Sequence, residues 1–410
     1  MSAVYVVGVG MTPSGKFLDK TMKQLTGEAV SAALKDAGCA VQDIEAAVFS
    51  NATQGFFEGQ TMIRGQICLR ELGFETIPIF NVENACAGAS SAFNLAVQFV
   101  RAGEGDMALA VGAEKMFSTD KAKMFAAFDS AWDVSTVEAN KQTLLKMGAG
   151  VEPPPGSMSK APYSLFMDIY AAFGRFHMRE FGTTQAQFAA VAAKNHCHSV
   201  HNPLAQYRMP YTVAEVLAAP PISYPLTLPM CAPISDGAAA AIVCSEAALK
   251  RFGRSRAIKV LACVVGTGST RRPEDIGRHV TVVASKKAYE KAGLSPKDMS
   301  VAEVHDATAI GEVVQSENLG FCEFGAGGRL AESGATSLGG IIPINPSGGL
   351  ESKGHPVGAT GLGQIHELVM QLRGEAGLRQ VENARLAIAE NGGGLYGVEE
   401  AVCVVTILGK

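Results

Sequence analysis

The sequence predicts an α/β protein built from two related, stacked halves, with a segment inserted in the first half. Residues 37–53, AGCAVQDIEAAVFSNAT, align without a gap with residues 292–308, AGLSPKDMSVAEVHDAT. Apolar strands alternate with amphipathic helices in both copies, which is the pattern of α/β layers. Residues 118–221 interrupt this repeat. Two copies of one such unit indicate two pseudo-symmetric halves that pack against each other.

Each half is predicted to use the same elements in the same order. The first strand, in AVYVVGVGMT, is echoed by KVLACVVGTG in the second half. The ungapped segments then give a helix end closed by glycine, a loop with an aspartate, a strand and a polar tip. A later strand, in DMALAVGAEK, is echoed by ARLAIAENGG. Because both spacing and order recur, we interpret the repeat as a structural duplication.

The inserted segment differs in composition from the repeat. It contains VEPPPG, a helical stretch MDIYAAFGRFHMREFG and a polar stretch KNHCHSVHNPLAQYR. The strand-like SDGAAAAIVCS at 235–245 then resumes the first half. We therefore predict a first half of residues 1–117 plus 222–254, an inserted subdomain of residues 118–221, and a second half of residues 255–410.

Composition and charge exclude several classes of function. The 410 residues carry a formal net charge of −4, with 18% charged and 47% hydrophobic residues. No block of lysine and arginine stands out, which argues against nucleic acid and anionic membranes as partners. No apolar run reaches the roughly 18 residues of a membrane-spanning helix. Nine scattered cysteines without a CxxC pair predict a reduced, cytoplasmic protein. The histidines of KNHCHSVHNP are interpreted as part of a polar loop or a helix end rather than a metal site.

Cys86 stands at the head of a run of small residues in NVENACAGASSAFNLA, residues 81–96. The apolar residues after it, among them Phe93 and Val97, recur as one face of a helix. Cys86 is therefore predicted at a helix N-terminus, where free N–H groups stabilise a thiolate. Two interpretations stay open on this stretch alone: a reactive nucleophile, and a buried cysteine used as a small apolar residue.

The repeat pairs Cys86 with a histidine. The counterpart of the Cys86 loop is INPSGGLESKGHPVGATGLGQ, residues 344–364, where His355 again precedes a helix rich in small residues. Two related halves would place Cys86 and His355 opposite each other near their symmetry axis. Histidine is the usual base that activates a thiol, so the pair predicts nucleophilic catalysis.

Four motifs carry a resemblance to a known family: NACAG around Cys86, GGLESKGHPVGATG around His355, SDGAAAA and HDAT. They resemble the thiolase superfamily, in particular the sterol-carrier-protein type of thiolase, and the likeness runs over nearly the whole chain. The resemblance implies the thiolase fold, in which two pseudo-symmetric βαβαβαββ halves stack as α-β-α-β-α layers with an inserted loop subdomain. It also implies a homodimer, with the strand in IPIFNVENA near the two-fold axis.

The same resemblance implies a CoA-dependent acyltransferase that cleaves or forms 3-oxoacyl-CoA, with CoA and acyl-CoA as substrates and no permanently bound cofactor. By resemblance, Cys86 takes the acyl group as a thioester and His355 activates it. His305, in HDAT, helps to build one oxyanion hole. The backbone N–H groups of Cys86 and Gly393 build the other, and GGG at 392–394 permits this close approach.

In relatives the inserted subdomain cradles CoA, which implies further candidate contacts in this chain. Met158, Phe173 and His177 are candidates for lining the pantetheine tunnel. Ser235 matches a loop that approaches pantetheine. Aromatic residues and methionine on a helix are also typical of a core, so a structural role for them stays open.

The chain departs from the family at the second acid/base, the group that moves the α-proton. Relatives supply a cysteine there, from Cys-x-Gly or from His-Asp-Cys-Phe, whereas this chain has Asn391 and Ala307, which do not titrate. Three repairs stay open: His305 or His355 does both jobs, Cys231 reaches in, or the reaction needs no α-proton abstraction. The last would make the chain an acyltransferase or C–C lyase of another type, working beside a small zinc-ribbon/OB-fold partner protein.

Overall fold

The computed structural model describes residues 2–252 and 254–410. The strands are β1 (Val4–Met11), β2 (Ala46–Ser50), β3 (Ile79–Val82), β4 (Met107–Glu114), β5 (Pro221–Ser223), β6 (Leu226–Thr227), β7 (Gly237–Ser245), β8 (Ile258–Thr267), β9 (Val301–Glu303), β10 (Leu386–Tyr396) and β11 (Glu399–Gly409). The helices are α1 (Met22–Ala37), α2 (Gln54–Glu58), α3 (Arg64–Arg70), α4 (Gly88–Ala102), α5 (Lys121–Ala126), α6 (Val137–Lys146), α7 (Leu165–Phe181), α8 (Gln185–Ser199), α9 (Val213–Ala218), α10 (Val280–Ala292), α11 (Ala309–Asn318), α12 (Gly327–Glu332), α13 (Gly349–Lys353) and α14 (Thr360–Arg373).

The main sheet is two half-sheets joined at a short seam. Among the described residues its strand order is β3-β2-β4-β7-β1-β8-β11-β10-β9. β1 and β8 meet at the centre and pair over two positions, Tyr5 with Lys259 and Val6 with Ile258. All strands on one side of this seam come from the first half of the chain, and all strands on the other side come from the second half. The two halves that the repeat predicts are therefore confirmed.

The hydrophobic cores arrange the elements in five layers. α1 and α3 cover the outer face of the first half-sheet through Leu25 and Leu69. α4 and α14 lie between the two half-sheets, where Phe93 and Leu368 share one core with residues of both. α10 covers the outer face of the second half-sheet through Ala288. This arrangement confirms the expected α-β-α-β-α stack.

The second half departs from the βαβαβαββ order at one strand. In the first half the major elements run β1-α1-β2-α3-β3-α4-β4-β7, as expected. In the second half the counterpart of β3 is reduced to a single bridge between Ile344 and Ala302 of β9. The next residue, Asn345, has a positive φ of 55°. Asparagine tolerates this left-handed conformation, so the chain turns here instead of continuing as a strand.

The heads of the two central helices approach each other closely. A 3₁₀ turn, Ala85–Ala87, precedes α4, and a second one, Val357–Ala359, precedes α14. A Cβ atom on Gly361 would lie 1.9 Å from the Ser90 hydroxyl oxygen, a separation that no side chain tolerates. The small residues at both helix heads therefore permit the contact that brings the two related loops together.

The segment between β4 and β7 lies over this junction. It contains α5 to α9 and the hairpin of β5 and β6. α8 packs against α11 of the second half, where Phe188 and Val191 share a core with Ile310 and Val313. The insertion thus leaves the first half-sheet and contacts the second half, next to the heads of α4 and α14.

Candidate active site

Cys86 lies in the 3₁₀ turn immediately before α4, as the sequence predicts. The turn is strained, because Ala85 has a positive φ of 47°, which costs free energy for any residue with a Cβ atom. Gly88 follows at a position where a Cβ atom would lie 2.5 Å from the Ser50 hydroxyl oxygen. The strained residue and the packed glycine together fix the half-buried thiol at the wall of a cavity.

Three reactive side chains converge beside this turn. The sulfur of Cys86 and one ring nitrogen from each of His305 and His355 all lie within 4.8 Å of one another. The two imidazole rings are 5.2 Å apart between centroids and inclined at 58°. Cys86 comes from the first half and both histidines from the second, so the site lies where the two halves meet.

The hydrogen bonds of His355 define its tautomer. Its Nδ1 lies 2.6 Å from the Thr360 hydroxyl oxygen. That hydroxyl donates its single proton to the Pro356 carbonyl at 3.1 Å, so it accepts a hydrogen bond from Nδ1–H of His355. The proton on Nδ1 leaves Nε2 with a free lone pair, which is the state of an imidazole that acts as a base.

Ser235 holds the backbone of the same histidine. The His355 N–H donates to the Ser235 hydroxyl oxygen at 2.9 Å, and that hydroxyl donates to Oε1 of Gln206 at 2.7 Å. Ser235 is fully buried and is absent from the cavity wall, to which its neighbour Ile234 contributes. Its hydroxyl contacts His355, Gln206 and the Pro233 carbonyl oxygen, and contact with pantetheine stays a prediction.

The electrostatics of the thiol differ from the sequence-based expectation of a stabilised thiolate. Burial, and then the carboxylates of Glu114 and Glu83, raise the pKa of Cys86 to about 12. The N–H groups of Cys86 itself and of Gly394 act in the opposite direction but do not offset these effects. The thiol of Cys86 is therefore neutral at physiological pH, and a base is needed to remove its proton.

Both histidines are neutral as well. Burial lowers the pKa of His305 to about 4, against the opposing charge of Glu400. Burial, and then the charges of His305 and Lys353, hold the pKa of His355 well below its usual range. In the empty site the thiol and both imidazoles are therefore uncharged. A thiolate–imidazolium pair forms only when the proton is transferred.

The glycine loop of β10 touches the Cys86 turn through its backbone. A Cβ atom on Gly393 would lie 2.3 Å from the Asn84 carbonyl oxygen and 2.7 Å from the Ala87 nitrogen. Gly394 has a positive φ of 60°, and its N–H faces the sulfur of Cys86. The sequence-based assignment named Gly393, and the structure adds Gly394 as a second backbone group at the thiol.

The cavity in front of Cys86 has a volume of about 270 Å³ and a mostly apolar wall. Besides the three reactive side chains, its wall includes the glycines of β10 and Glu400 of β11. The inserted segment contributes Phe125, Phe128, Ala131, Pro162, Tyr163, Ser164, Phe166, Met167 and Tyr170. The site is thus a concave pocket with a few polar groups converging at one end, which is typical of a small-molecule site.

The structure places the three candidate contacts of the inserted segment outside this wall. Phe173 and His177 lie farther along α7 and line a second cavity of about 90 Å³. Nε2 of His177 lies 3.1 Å from the carboxylate of Glu317. Met158 is 42% exposed and pairs with Ser223 in an isolated bridge. Phe173 and His177 lie about one and two turns of α7 beyond Tyr170, the last residue of this helix on the wall near Cys86, and the sequence pattern does not make this distinction.

Asn391 and Ala307, which stand where relatives supply the second cysteine, have defined places in the structure. Asn391 is buried and accepts a hydrogen bond from the Ser90 hydroxyl at 2.8 Å, which links α4 to β10. Ala307 lines the catalytic cavity. Cys231 also lines it, but its thiol points to the Thr227 carbonyl at 3.6 Å. Burial raises the pKa of Cys231 far above its usual range, so it is a poor proton acceptor.

Two residues at the site were missed by the sequence analysis. Glu400 lies on the cavity wall, and Glu114 lies behind it as a fully buried side chain that accepts from Thr53 and from the N–H of Gly358. Both are acidic residues at one end of an otherwise apolar strand. An acidic residue at the end of an apolar strand can be used to predict a functional site from sequence, because burying an unpaired charge is costly.

Two histidines of KNHCHSVHNP make structural hydrogen bonds. His196 bonds to the Pro229 carbonyl oxygen and His198 to that of Asn345, as expected of a packed helix end. Over residues 2–252 and 254–410, the cluster with metal-ligand spacing is Cys86, His305 and His355 itself. Among those same residues no helix is both long and apolar enough to cross a membrane.

Comparison with known proteins identifies the family. The model of the thiolase N-terminal domain matches residues 4–215, and the model of the thiolase C-terminal domain matches residues 264–409. The chain is 37% identical to acetyl-CoA acetyltransferase of Methanothermobacter thermautotrophicus over 97% of its length and 98% of that protein. It is 38% identical to human sterol carrier protein 2, over 95% of this chain and 69% of that protein.

Further similarities are more distant. A benzoylsuccinyl-CoA thiolase subunit of Thauera aromatica is 33% identical over 95% of this chain and 94% of that protein. Among solved structures, an Ltp2–ChsH2(DUF35) aldolase superposes with a TM-score of 0.78 at 24% identity, covering 99% of this chain and 97% of that chain. Human mitochondrial 3-ketoacyl-CoA thiolase gives a TM-score of 0.68 at 18% identity, covering 100% and 99%. The chain belongs to the thiolase family, and it is a CoA-dependent acyltransferase enzyme.

Proposed function

We propose that the enzyme cleaves or forms a 3-oxoacyl-CoA through an acyl group carried on Cys86. The observation that carries this proposal is the convergence of Cys86, His305 and His355 within 4.8 Å at the end of an apolar cavity. The assigned tautomer of His355 presents a free Nε2, so the histidine is ready to take the thiol proton.

The acylation step uses both neutral groups. Nε2 of His355 takes the proton of Cys86 while the sulfur attacks the thioester carbonyl of an acyl-CoA. The C–S bond to CoA then breaks, and the leaving CoA thiolate receives that proton from His355. The enzyme thereby exchanges one thioester for another, and no net proton is consumed.

Backbone donors stabilise the thioester oxygen in this proposal. The N–H groups of Cys86 and Gly393 form one oxyanion hole, with Gly394 beside them, and His305 and His355 contribute to the other. The close packing of Gly393 against the Cys86 turn supports this arrangement. Removing one such donor typically costs about 2.7–4 kcal/mol of activation free energy.

The inserted subdomain, residues 118–221, delivers CoA to the site in this proposal. Its apolar contribution to the cavity wall, including Phe125, Tyr163 and Met167, supports this role. Met158, Phe173, His177 and Ser235 remain the sequence-based candidates for contacts with pantetheine, and the wall residues named above join them.

The test is CoA-dependent cleavage of acetoacetyl-CoA and of a longer 3-oxoacyl-CoA by the purified chain, beside Cys86→Ala. We expect cleavage by the wild type and none by the variant. Intact mass should show an acyl adduct that maps to Cys86. Unchanged cleavage by the variant would exclude the acyl-enzyme.

A second candidate reaction is favoured by Asn391 and Ala307, since neither can move a proton. It is an acyl transfer or C–C cleavage of another type, assisted by a zinc-ribbon/OB-fold partner protein. One fold neighbour is named Ltp2–ChsH2(DUF35) aldolase, and one relative is named as a thiolase subunit. This candidate predicts acylation of Cys86 without cleavage by the isolated chain, and vigorous cleavage of acetoacetyl-CoA would rule it out.

We also propose a homodimer that uses the open edge of the first half-sheet. β3 lies at that edge, and Phe80 on it is 50% exposed. An unpaired edge strand with an exposed aromatic side chain is a ready surface for a second copy. Phe80→Glu should shift the mass measured by light scattering from dimer to monomer, and a monomeric wild type would contradict the proposal.

A further inference from the structure

A glutamate and a histidine line both the cavity in front of Cys86 and the second cavity of about 90 Å³. Glu400 and His305 are part of the wall of the catalytic cavity and of the second cavity, as is Tyr170. Glu400 lies near the start of β11, where it pairs with Leu395 at the end of the glycine loop. A Cβ atom on Gly392 would lie 2.7 Å from Cγ of Glu400, so the glutamate side chain rests directly on that loop.

Glu400 is held in place by partners from the second half. Gln315 of α11 donates to Oε1 at 3.2 Å, and Nε2 of His279, just before α10, lies 3.2 Å from Oε2. Although burial acts to raise it, the charge and hydrogen bond of His279 lower the pKa of Glu400 to about 2. The cavity therefore contains a fixed carboxylate anion, and its charge also acts on His305.

Of the two histidines beside Cys86, His305 is the one whose ring has no hydrogen-bond partner. Its Nε2 is buried and makes no hydrogen bond, whereas His355 is tied through Nδ1 to Thr360. A buried imidazole nitrogen without a partner is costly in a folded protein, so a functional explanation is required. The charge that a proton brings to such a ring needs a nearby anion, and Glu400 is that anion.

We propose that His305 is the second acid/base of this enzyme and that Glu400 is its positioning residue, taking over the task of the absent cysteine. The inference rests on the proposed 3-oxoacyl-CoA chemistry. In the direction of condensation, neutral His305 accepts a proton from the α-carbon of the second acyl-CoA. The C–H electron pair forms the bond to the carbonyl carbon of the acyl group on Cys86.

The remaining bond changes and proton transfers involve only Cys86 and His305, with Glu400 beside them. As the new C–C bond forms and the tetrahedral intermediate collapses, the C–S bond to Cys86 breaks. The sulfur leaves with its electron pair and takes the proton that His305 carries, over a separation within the 4.8 Å cluster. Glu400 stays ionised throughout and stabilises the short-lived imidazolium. Cleavage follows the same path in reverse.

The competing groups fit this task less well. His355 serves Cys86 in the first half-reaction, and the thiol of Cys231 is directed at a backbone carbonyl. The titratable groups around His305 and Glu400 are Cys86, Tyr170, His279, His355, Glu390 and Cys403. Burial and carboxylate charge raise the pKa values of Cys86 and Cys403, and burial raises that of Tyr170, so their acidic forms prevail at neutral pH.

The experiment separates the two half-reactions. Acetyl-CoA is incubated with enzyme in D₂O; deuterium at the α-carbon reports proton abstraction, and the intact mass of the protein reports acylation of Cys86. The variants are Glu400→Gln and the matched control Glu317→Gln. Glu317 forms the same kind of pair with His177, at 3.1 Å, and it lines the second cavity but not the catalytic one.

We expect the wild type and Glu317→Gln to acylate Cys86 and to exchange the α-proton. Glu400→Gln should acylate at an unchanged rate while exchange falls about 100-fold, the lower range of a general-base effect. Its remaining exchange should show an acid limb shifted to lower pH, because His305 loses the anion that raises its pKa. Glu400→Asp, which keeps the charge, should recover part of the exchange.

Other outcomes would overturn the inference, and they separate it from the proposed function. If Glu400→Gln exchanges the α-proton as fast as the wild type, the roles of His305 and Glu400 are excluded. The same follows if the wild type is acylated but does not exchange the α-proton at all. Neither result contradicts the acyl-enzyme. A wild type that no acyl-CoA acylates would remove the proposed function and the inference together. If Glu400→Gln fails to fold, His279→Gln provides the same comparison, since it releases Glu400.

Discussion

The Cys86 loop and the His355 loop are equivalent in the repeat but differ in burial. The Cys86 turn is only partly buried, follows the edge strand β3 and contains strained Ala85. Every residue from 342 to 365, around His355, is buried. One half therefore leaves its sulfur partly accessible, and the other buries its imidazole. The comparison shows that a duplicated scaffold can place two groups symmetrically and still give them opposite environments.

The largest effect is expected when the sulfur of Cys86 is removed. In Cys86→Ala the cavity and both histidines remain, but no thioester can form. We expect turnover to fall to background, by about 10⁶-fold, the scale seen when a nucleophile is removed from a catalytic triad. Steady-state cleavage of acetoacetyl-CoA measures this, with Cys197→Ala, an exposed cysteine of α8, as the control. Equal losses in both variants would place the reaction elsewhere.

The next test moves the exposed loop without touching its side chains. Gly393→Ala would place a Cβ atom 2.3 Å from the Asn84 carbonyl, so the Cys86 turn has to shift. We expect kcat to fall about 10²–10³-fold, as for loss of an oxyanion donor, and unfolding free energy to fall by about 1–3 kcal/mol from overpacking. Gly277→Ala is the control, because its Cβ would meet no atom within 4 Å. A Gly393→Ala enzyme of normal kcat would show that this contact is dispensable.

A third test acts on the buried loop. Thr360→Val keeps the shape of the side chain but removes the acceptor of Nδ1–H of His355, so the favoured tautomer is lost. We expect acylation of Cys86 to slow about 100-fold, measured by rapid-quench intact mass. Thr360→Ser keeps the hydroxyl and should remain close to the wild type. If valine and serine behave alike, the hydrogen bond does not set the tautomer.

The smallest effect concerns the charge state of the Cys86 thiol. Because the pKa of Cys86 is raised to about 12, its thiolate fraction is small at neutral pH and increases about tenfold per pH unit below that pKa. Alkylation of Cys86 by iodoacetamide in the empty enzyme should therefore accelerate steadily from pH 7 to pH 9. Peptide mass spectrometry at each pH measures this rate. A rate that is already constant at pH 7 would indicate a preformed thiolate–imidazolium pair instead.

Much of the fold follows from the sequence, because a duplicated pattern of strands and helices determines layers and order. The repeat also predicts that Cys86 and His355 meet, since equivalent positions of two halves lie near their common axis. The loss of the third strand in the second half was not predictable. It depends on Asn345, whose side chain bonds to the backbone of Val304, a contact between segments distant in sequence.

The electrostatics of the site, and the side chains that surround it, are harder to predict from the sequence. A helix N-terminus predicts a stabilised thiolate at Cys86, but burial and the approach of Glu114, which raise its pKa, arise only in the folded chain. Likewise, Phe173 and His177 lie on the predicted helix of the insertion but face the second cavity. Which turn of a helix faces which cavity depends on how the helix packs, and periodicity alone does not determine this.

The neutral state of Cys86 also bears on how long the enzyme survives oxidants. Peroxide attacks thiolates far faster than thiols, and oxidation beyond the sulfenic state is irreversible in most proteins. A cysteine that stays protonated in the empty site is therefore protected while the enzyme waits for substrate. In the proposed reaction the same sulfur is converted to a thioester, which is not a thiolate. The raised pKa of Cys86 thus gives the enzyme a resting state that resists chemical damage.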